Sequence, residues 1–233
     1  NSPDDGGYTL SLFPAYLTKV YDKVDDQKDG VIMRKIWEEF DGNQFGSAID
    51  AIDFVLSNPV NNYYEDFIND YANFSYAWAD FNARNLFNGV FDNMDNSIYY
   101  LDDQKDLPPI VVPYIYDLTQ DYTNPTNITG QGIVKIIGFD LNADTFVDFR
   151  NGTILEDDFD GFIAVHSSNL FHNRIFDKKE FFITSGKVLS LDMYDKMYLL
   201  YTNKSSSSIT IDHDVNVDNL CNGQSGNYDP GDI

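Results

Sequence analysis

Apolar residues in the first ninety positions recur at steps of three and four, whereas beyond residue 109 they gather in short runs, so the hydrophobic period itself divides the chain. The densest stripe lies in residues 62–89, where Tyr64, Phe67, Ile68, Tyr71, Phe74, Trp78, Phe81 and Leu86 share one side of a helix. Glu65, Asp66, Asn69, Asp70, Asn73 and Asp80 fall on the other side, which predicts one long amphipathic helix around which the preceding segments pack. Asn62 with Glu65 suits a capping box at its start, Pro59 blocks continuation upstream, and Asn88-Gly89 supplies a left-handed stop.

Three shorter helices precede it. Leu10, Phe13, Leu17, Val20, Tyr21 and Val24 predict a helix over residues 11–24, with Pro14 confined to its first turn. Ile32, Met33, Ile36, Trp37 and Phe40 form the inward stripe of a second helix that Asp41-Gly42 closes. A third, over residues 47–56, opens on the Ser47/Asp50 cap pattern and turns Ala48, Ile49, Ile52, Val55 and Leu56 inward. Short connections make these four helices antiparallel neighbours.

After Pro109 come IVVPYIYDL, GIVKIIGFD, TFVDF, GFIAVHS, EFFITS, KVLSLDMY, KMYLLYTN and SSITIDHDV, β-branched or aromatic runs separated by Asn, Gly, Asp and Ser. Such runs predict an antiparallel β-sandwich or barrel of about seven or eight strands, with Pro113 holding the first strand at a sheet edge or delaying its start. The fold class is therefore α+β. It comprises a helical lobe over 1–91, an acidic linker or wrapping segment over 92–109, a β-sandwich over 110–218 and a polar tail over 219–233.

Composition adds a strong bias. A formal net charge of -23 disfavours nucleic acid and anionic membranes as partners and leaves cations and basic proteins open. No apolar run approaches the ~20 residues of a membrane span. Cys221 is the one cysteine, so neither an intrachain disulfide nor a Cys-based zinc cluster is available. The acid is nearly all aspartate, with glutamate only at Glu38, Glu39, Glu65, Glu156 and Glu180, which fits Asx turns first and calcium loops second. The start, NSPDDGGYTL, lacks an initiating Met and points to a piece of a longer precursor.

Four Asn-x-Ser/Thr sequons, at Asn73, Asn127, Asn151 and Asn203, favour an extracellular or cell-surface address. The best cation candidate is Asp140, Asn142, Asp144 and Asp148, whose spacing resembles the opening of a calcium loop, although Thr145 stands where such a loop needs glycine. Asp157, Asp158 and Asp160 form a second acidic cluster, and Asp212, Asp214, Asn216 and Asp218 alternate along one strand face. Of the histidines, His166 and His172 lie six apart and His213 far from both, a spacing that fits no helical zinc pair. Glu38 and Glu39 are adjacent on a helix and point apart, unlike the opposed pair of a glycosidase. Nucleophile elbows, P-loops and dinucleotide fingerprints are absent from the sequence.

Residues Ile36-Trp37-Glu38-Glu39, then Ala48-Ile49-Asp50, then Asn85-Leu86-Phe87-Asn88-Gly89, in that order and spacing, resemble the region downstream of the zinc helix in secreted metallopeptidases of the His-Glu-x-x-His type. The resemblance covers residues 8–140 and implies helices followed by a β-sandwich. It places the family's catalytic histidines and glutamate ahead of Tyr8, so no catalytic residue carries over and zinc is not expected within this chain. Together these features predict a secreted or cell-surface accessory module that contacts proteins or glycans or self-assembles. The alternatives are the C-terminal portion of such a peptidase, or a structural subunit of a surface layer or filament.

Overall fold

The fold was obtained as a computed structural model that describes residues 3–21, 30–42, 45–57, 73–89, 98–101, 104–112, 115–117, 122–123, 126–141, 146–151, 159–168, 172–177, 188–190, 193–211 and 213–217. Among these residues four helices come first: α1 (Pro3–Tyr21), α2 (Val31–Asp41), α3 (Ala48–Ser57) and α4 (Phe74–Asn85). α1 starts earlier than its apolar stripe implies, because Pro3 suits the first helical position. Pro14 therefore lies inside the helix and not in its first turn, at a cost of about 3 kcal/mol that the buried Phe13, Tyr16 and Leu17 around it must offset.

The long helix expected over 62–89 is shorter. Asn73 is extended (φ -143, ψ 172) and is the N-cap of α4, its side chain accepting from the Tyr76 amide at 2.8 Å. Asp53 of α3 caps the same end, accepting from the Phe74 amide at 2.9 Å. Local side-chain acceptors thus outcompete helical continuation through Asn73; residues 58–72 lie outside the described residues. The C-terminal end tightens through three-residue bonds from the Leu86, Phe87 and Asn88 amides to Ala83, Arg84 and Asn85. Gly89, at φ +84, comes after that turn, and a Cβ there would stand 3.2 Å from Pro109 Cδ.

Among the described residues eleven strands follow: β1 (Ile115–Asp117), β2 (Tyr122–Thr123), β3 (Thr126–Ile128), β4 (Val134–Asp140), β5 (Phe146–Asn151), β6 (Phe159–Ser167), β7 (His172–Asp177), β8 (Val188–Ser190), β9 (Lys196–Asn203), β10 (Ile209–Ile211) and β11 (His213–Val217). They form a five-stranded sheet in the order β1-β4-β9-β6-β7, a four-stranded sheet β2-β11-β5-β8 and a pair β10-β3. The described pairings are antiparallel except one. β1 runs parallel to β4, so the purely antiparallel arrangement expected from the short runs does not hold. Pro113 precedes β1, which begins after it and lies at the edge, as a missing amide donor requires.

The five-stranded sheet is covered on both faces. Ile137, Phe139, Ile163, Val165, Met197, Leu199 and Tyr201 on one face pack with Ile128, Ile211 and Val215 of the smaller sheets. The opposite face, with Phe162, Ala164, Tyr198 and Leu200, packs on Ala79, Ala83, Leu86 and Phe87 in and just after α4. The far side of α4 supplies Phe74, Ala77 and Phe81 to the helical core with Phe13, Tyr16, Leu17, Ile32, Ile36 and Val55. α4 is therefore the layer between helices and sheet, and its alanines let it approach the strands closely. Ile98 and Tyr100 are buried, the former against the sheet-facing side and the latter among the helices.

β6 and β9 also meet tightly. A Cβ on Gly161 would lie 2.9 Å from the Leu200 carbonyl oxygen, a backbone atom that has no rotamer to yield. Gly161→Ala is expected to lower unfolding free energy by about 1–3 kcal/mol through overpacking, read as a shifted urea midpoint. An unchanged midpoint would mean that the two central strands separate at little cost.

Candidate functional site

A single row of polar residues crosses the five-stranded sheet at one end. The register sets Asp117 opposite Asp140, Asp140 opposite Lys196, Lys196 opposite His166 and His166 opposite Asn173. Directly opposed residues share a face, and two contacts confirm it: Lys196 Nζ meets Asp140 Oδ1 at 2.7 Å, and His166 Nδ1 meets Asn173 Oδ1 at 2.5 Å. Nε2 lies 3.3 Å from the Ser168 hydroxyl, so both ring nitrogens of His166 have a hydrogen-bonding neighbour.

Serine, histidine and asparagine in this sequence of contacts have the connectivity of a nucleophile, a base and an orienting group. The surroundings oppose that use. The Ser168 amide, the donor an oxyanion would need, faces the Asp195 carboxylate at 3.1 and 3.3 Å, which puts negative charge where a tetrahedral intermediate would develop its own. Asp195 further donates its amide to the His166 carbonyl and accepts from the Leu141 amide through its own carbonyl, both at 2.9 Å. The cluster is a lock that ties the β6–β7 hairpin to the start of β9 and the end of β4, with His166 buried as a satisfied core histidine.

A second buried cluster lies on α4. Asp80 Oδ2 accepts from the Tyr16 hydroxyl at 2.5 Å and from Arg84 Nε at 2.8 Å, while Arg84 Nη1 donates to the Ile98 carbonyl at 3.0 Å. Asp80 is thus buried and paired, and not on an outer polar face as its helical position implied. Burial, and then the Asp80 carboxylate, push the Tyr16 hydroxyl well above its ordinary range. For Arg84, burial disfavours the charge, but Asp80 and the neighbouring tyrosines outweigh it and hold the guanidinium more firmly protonated. Beside it, the Tyr100 hydroxyl and Asn88 Nδ2 both donate to Asn85 Oδ1, and Gln104 Nε2 donates to the Arg84 carbonyl. These groups bind the chain after α4 back onto it.

The third feature is exposed. α2 starts after Gly30, which takes a left-handed conformation (φ 73), and anchors itself through Ile32 and Ile36, one turn apart and buried. Trp37 and Phe40, expected on the same inward stripe, are 63% and 37% exposed and meet edge to face, ring centres 6.2 Å apart at 74°. Six apolar residues in eleven exceed the arc that α1 and α3 can cover, so the C-terminal part of the stripe faces solvent. Arg34 and Lys35 each approach Glu38 at 3.8 Å, and the last turn contains no base.

The residues singled out from the sequence are dispersed by the fold. Asp140 ends β4 and is paired with Lys196, whereas Asp148 lies within β5 of the other sheet, opposite Asn216 and Val188. The spacing that resembled a single loop therefore belongs to two strands and their connection; Asn142 and Asp144 lie outside the described residues. Asp160 is buried in β6, and Asp157, Asp158, Asp212, Asp218, Cys221 and the 219–233 tail lie outside the described residues. Among the described residues, no group of three or more His, Cys, Asp or Glu side chains is placed to hold a metal ion, and no helix is long and apolar enough to cross a membrane.

The sequons separate too. Asn127 is exposed on β3, its Oδ1 accepting from the Thr210 hydroxyl at 2.5 Å. Asn73 is partly buried as the α4 cap, and Asn151 ends β5. Asn203 is fully buried, with Nδ2 donating to the Ile128 carbonyl at 3.2 Å and the Ser207 carbonyl at 2.6 Å. A glycan at Asn203 is incompatible with this fold, since its attachment atom already holds β9 to β3 and to the following turn. The peptidase-like segments fall on α2, α3 and the end of α4, where Glu38 is exposed and Asn85 and Asn88 are buried.

No family model matches the chain, and no curated protein matches it. Among solved structures, the chain is similar to a mutant of PliG-Ec, a periplasmic inhibitor of g-type lysozyme from Escherichia coli, at 10% identity and a TM-score of 0.32. That match covers 45% of this chain and 98% of the inhibitor.

Proposed function

We propose that the chain is an extracellular contact module that docks a partner protein through the exposed end of α2. The observation that carries this is the pair Trp37 and Phe40, two large aromatics left to solvent on a helix whose inward anchors, Ile32 and Ile36, are already satisfied. Exposed apolar residues scattered singly are ordinary, but a Trp paired with a Phe beside an exposed Arg34 has the composition of an interface centre. An extracellular address is supported by the exposed Asn127 sequon.

Site-specific photo-crosslinking tests the reading in the protein's own extracellular surroundings. With p-benzoylphenylalanine in place of Trp37, a discrete protein adduct is expected; with the same group in place of the exposed Lys105, on the short 3-10 turn, none is expected. Equal yields at the two positions would remove the contact role of α2.

A further inference from the structure

The partner's chemistry, which rests on the contact reading above, is written in the last turn of α2. Trp37, Glu38, Glu39, Phe40 and Asp41 follow one another there, with no basic residue among them. A helix C-terminus already carries the negative end of the peptide dipoles, and favours cations. Three carboxylates at that end work against the stability of the helix itself. Both bases of α2, Arg34 and Lys35, lean on Glu38. Trp37 and Phe40 meet edge to face at 74° and are both exposed, Trp37 the more so, and an aromatic ring face presents the negative side of its quadrupole.

We infer that this corner seats a lysine or arginine side chain from a basic segment of a partner protein. The cation lies over the Trp37 face, its alkyl stem runs along Phe40, and Asp41, one turn on from Trp37, receives its hydrogen bonds. The formal charge of -23 steers such a segment toward this chain over distances that short-range contacts do not reach. A neutral glycan can stack on Trp37 and donate hydroxyls to the carboxylates but gains no attraction from their charge, which is why the basic segment is the favoured occupant.

A fluorescein-labelled decapeptide of alternating Lys and Gly, with its Glu-Gly counterpart as control, tests this by anisotropy. The Lys peptide is expected to bind the wild-type chain, to bind Trp37→Ala about two- to fivefold more weakly and to bind Trp37→Phe at an intermediate level. A triple variant, Glu38→Gln with Glu39→Gln and Asp41→Asn, is expected to weaken binding and flatten its salt dependence, with unchanged circular dichroism. Equal binding to wild type and Trp37→Ala would overturn the inference, because diffuse surface charge would then account for it. No binding to wild type would overturn it as well. So would a neutral oligosaccharide that competes with the peptide and loses affinity in Trp37→Ala. If photo-adducts form at position 37 while the Lys peptide fails to bind, the contact face stands and only the partner chemistry falls; if neither occurs, both fall.

Discussion

Asp80→Ala is expected to lower the unfolding free energy by about 3–5 kcal/mol, because it breaks a largely buried, charged hydrogen-bond network. Arg84 keeps its bond to the Ile98 carbonyl but loses the 2.8 Å carboxylate contact, and the Tyr16 hydroxyl loses its 2.5 Å acceptor in the same step. The size of the effect comes from removing one member of the network more than from the pair's net worth. Replacing both members, Asp80→Leu with Arg84→Met, is accordingly expected to recover a large part of the loss. Urea denaturation of the four corners of this cycle measures it. A single-variant loss under about 1 kcal/mol would show that water reaches Arg84 and solvates it.

Phe81→Ala is expected to cost a similar amount, about 3–5 kcal/mol, for a different reason. Its ring is almost fully buried and touches Phe13, Tyr16, Trp78 and Tyr100 at centroid distances of 5.3, 5.4, 5.3 and 5.8 Å. Truncation opens a cavity bounded by rings from α1, α4 and the segment that follows α4, three elements that cannot all move inward at once. Trp78 lies nearly parallel to Phe81, at 24°, so its fluorescence reports the loss directly in a Trp37→Phe background. An unshifted spectrum together with an unshifted unfolding midpoint would mean that Phe81 is not the centre of that cluster.

The helical stripe and the strand runs were legible because burial on one side of an element leaves a period in the sequence. Ile32, Ile36, Val55 and Phe81 were all expected inside and are all buried. What escaped was decided by partners distant in sequence. Asp80 looked like a solvated helix charge, and only the arrival of Tyr16, 64 residues away, makes it a core residue. Asn73 looked like mid-helix, and its role as a cap depends partly on Asp53 satisfying the next amide. The segment of β7 with His172-Asn173-Arg174 carries no apolar run, because an edge strand needs little apolar sequence; its pairing with β6 fixes it instead.

A further signal lies in the two central strands. β6 is buried at all nine positions and β9 at all but its first residue, and their sequences show no alternation. Continuous apolar strands mean cover on both faces, which predicts a helix against the sheet as well as a second sheet. The exposure of Trp37 had a weaker signal, in the carboxylates crowded around it. The proposed site owes its visibility to the same departure from expectation: an aromatic that the period placed inside, and the packing left out.

α4 has one face in the aromatic core of the helices and the other on the strands. A helix shared in this way has no face of its own to spare, so loosening the helices strips the sheet of its cover, and fraying the sheet exposes the helix that organises the first half. Unfolding has no seam to follow along α4. The two halves, so different in sequence period, are expected to melt as one cooperative body.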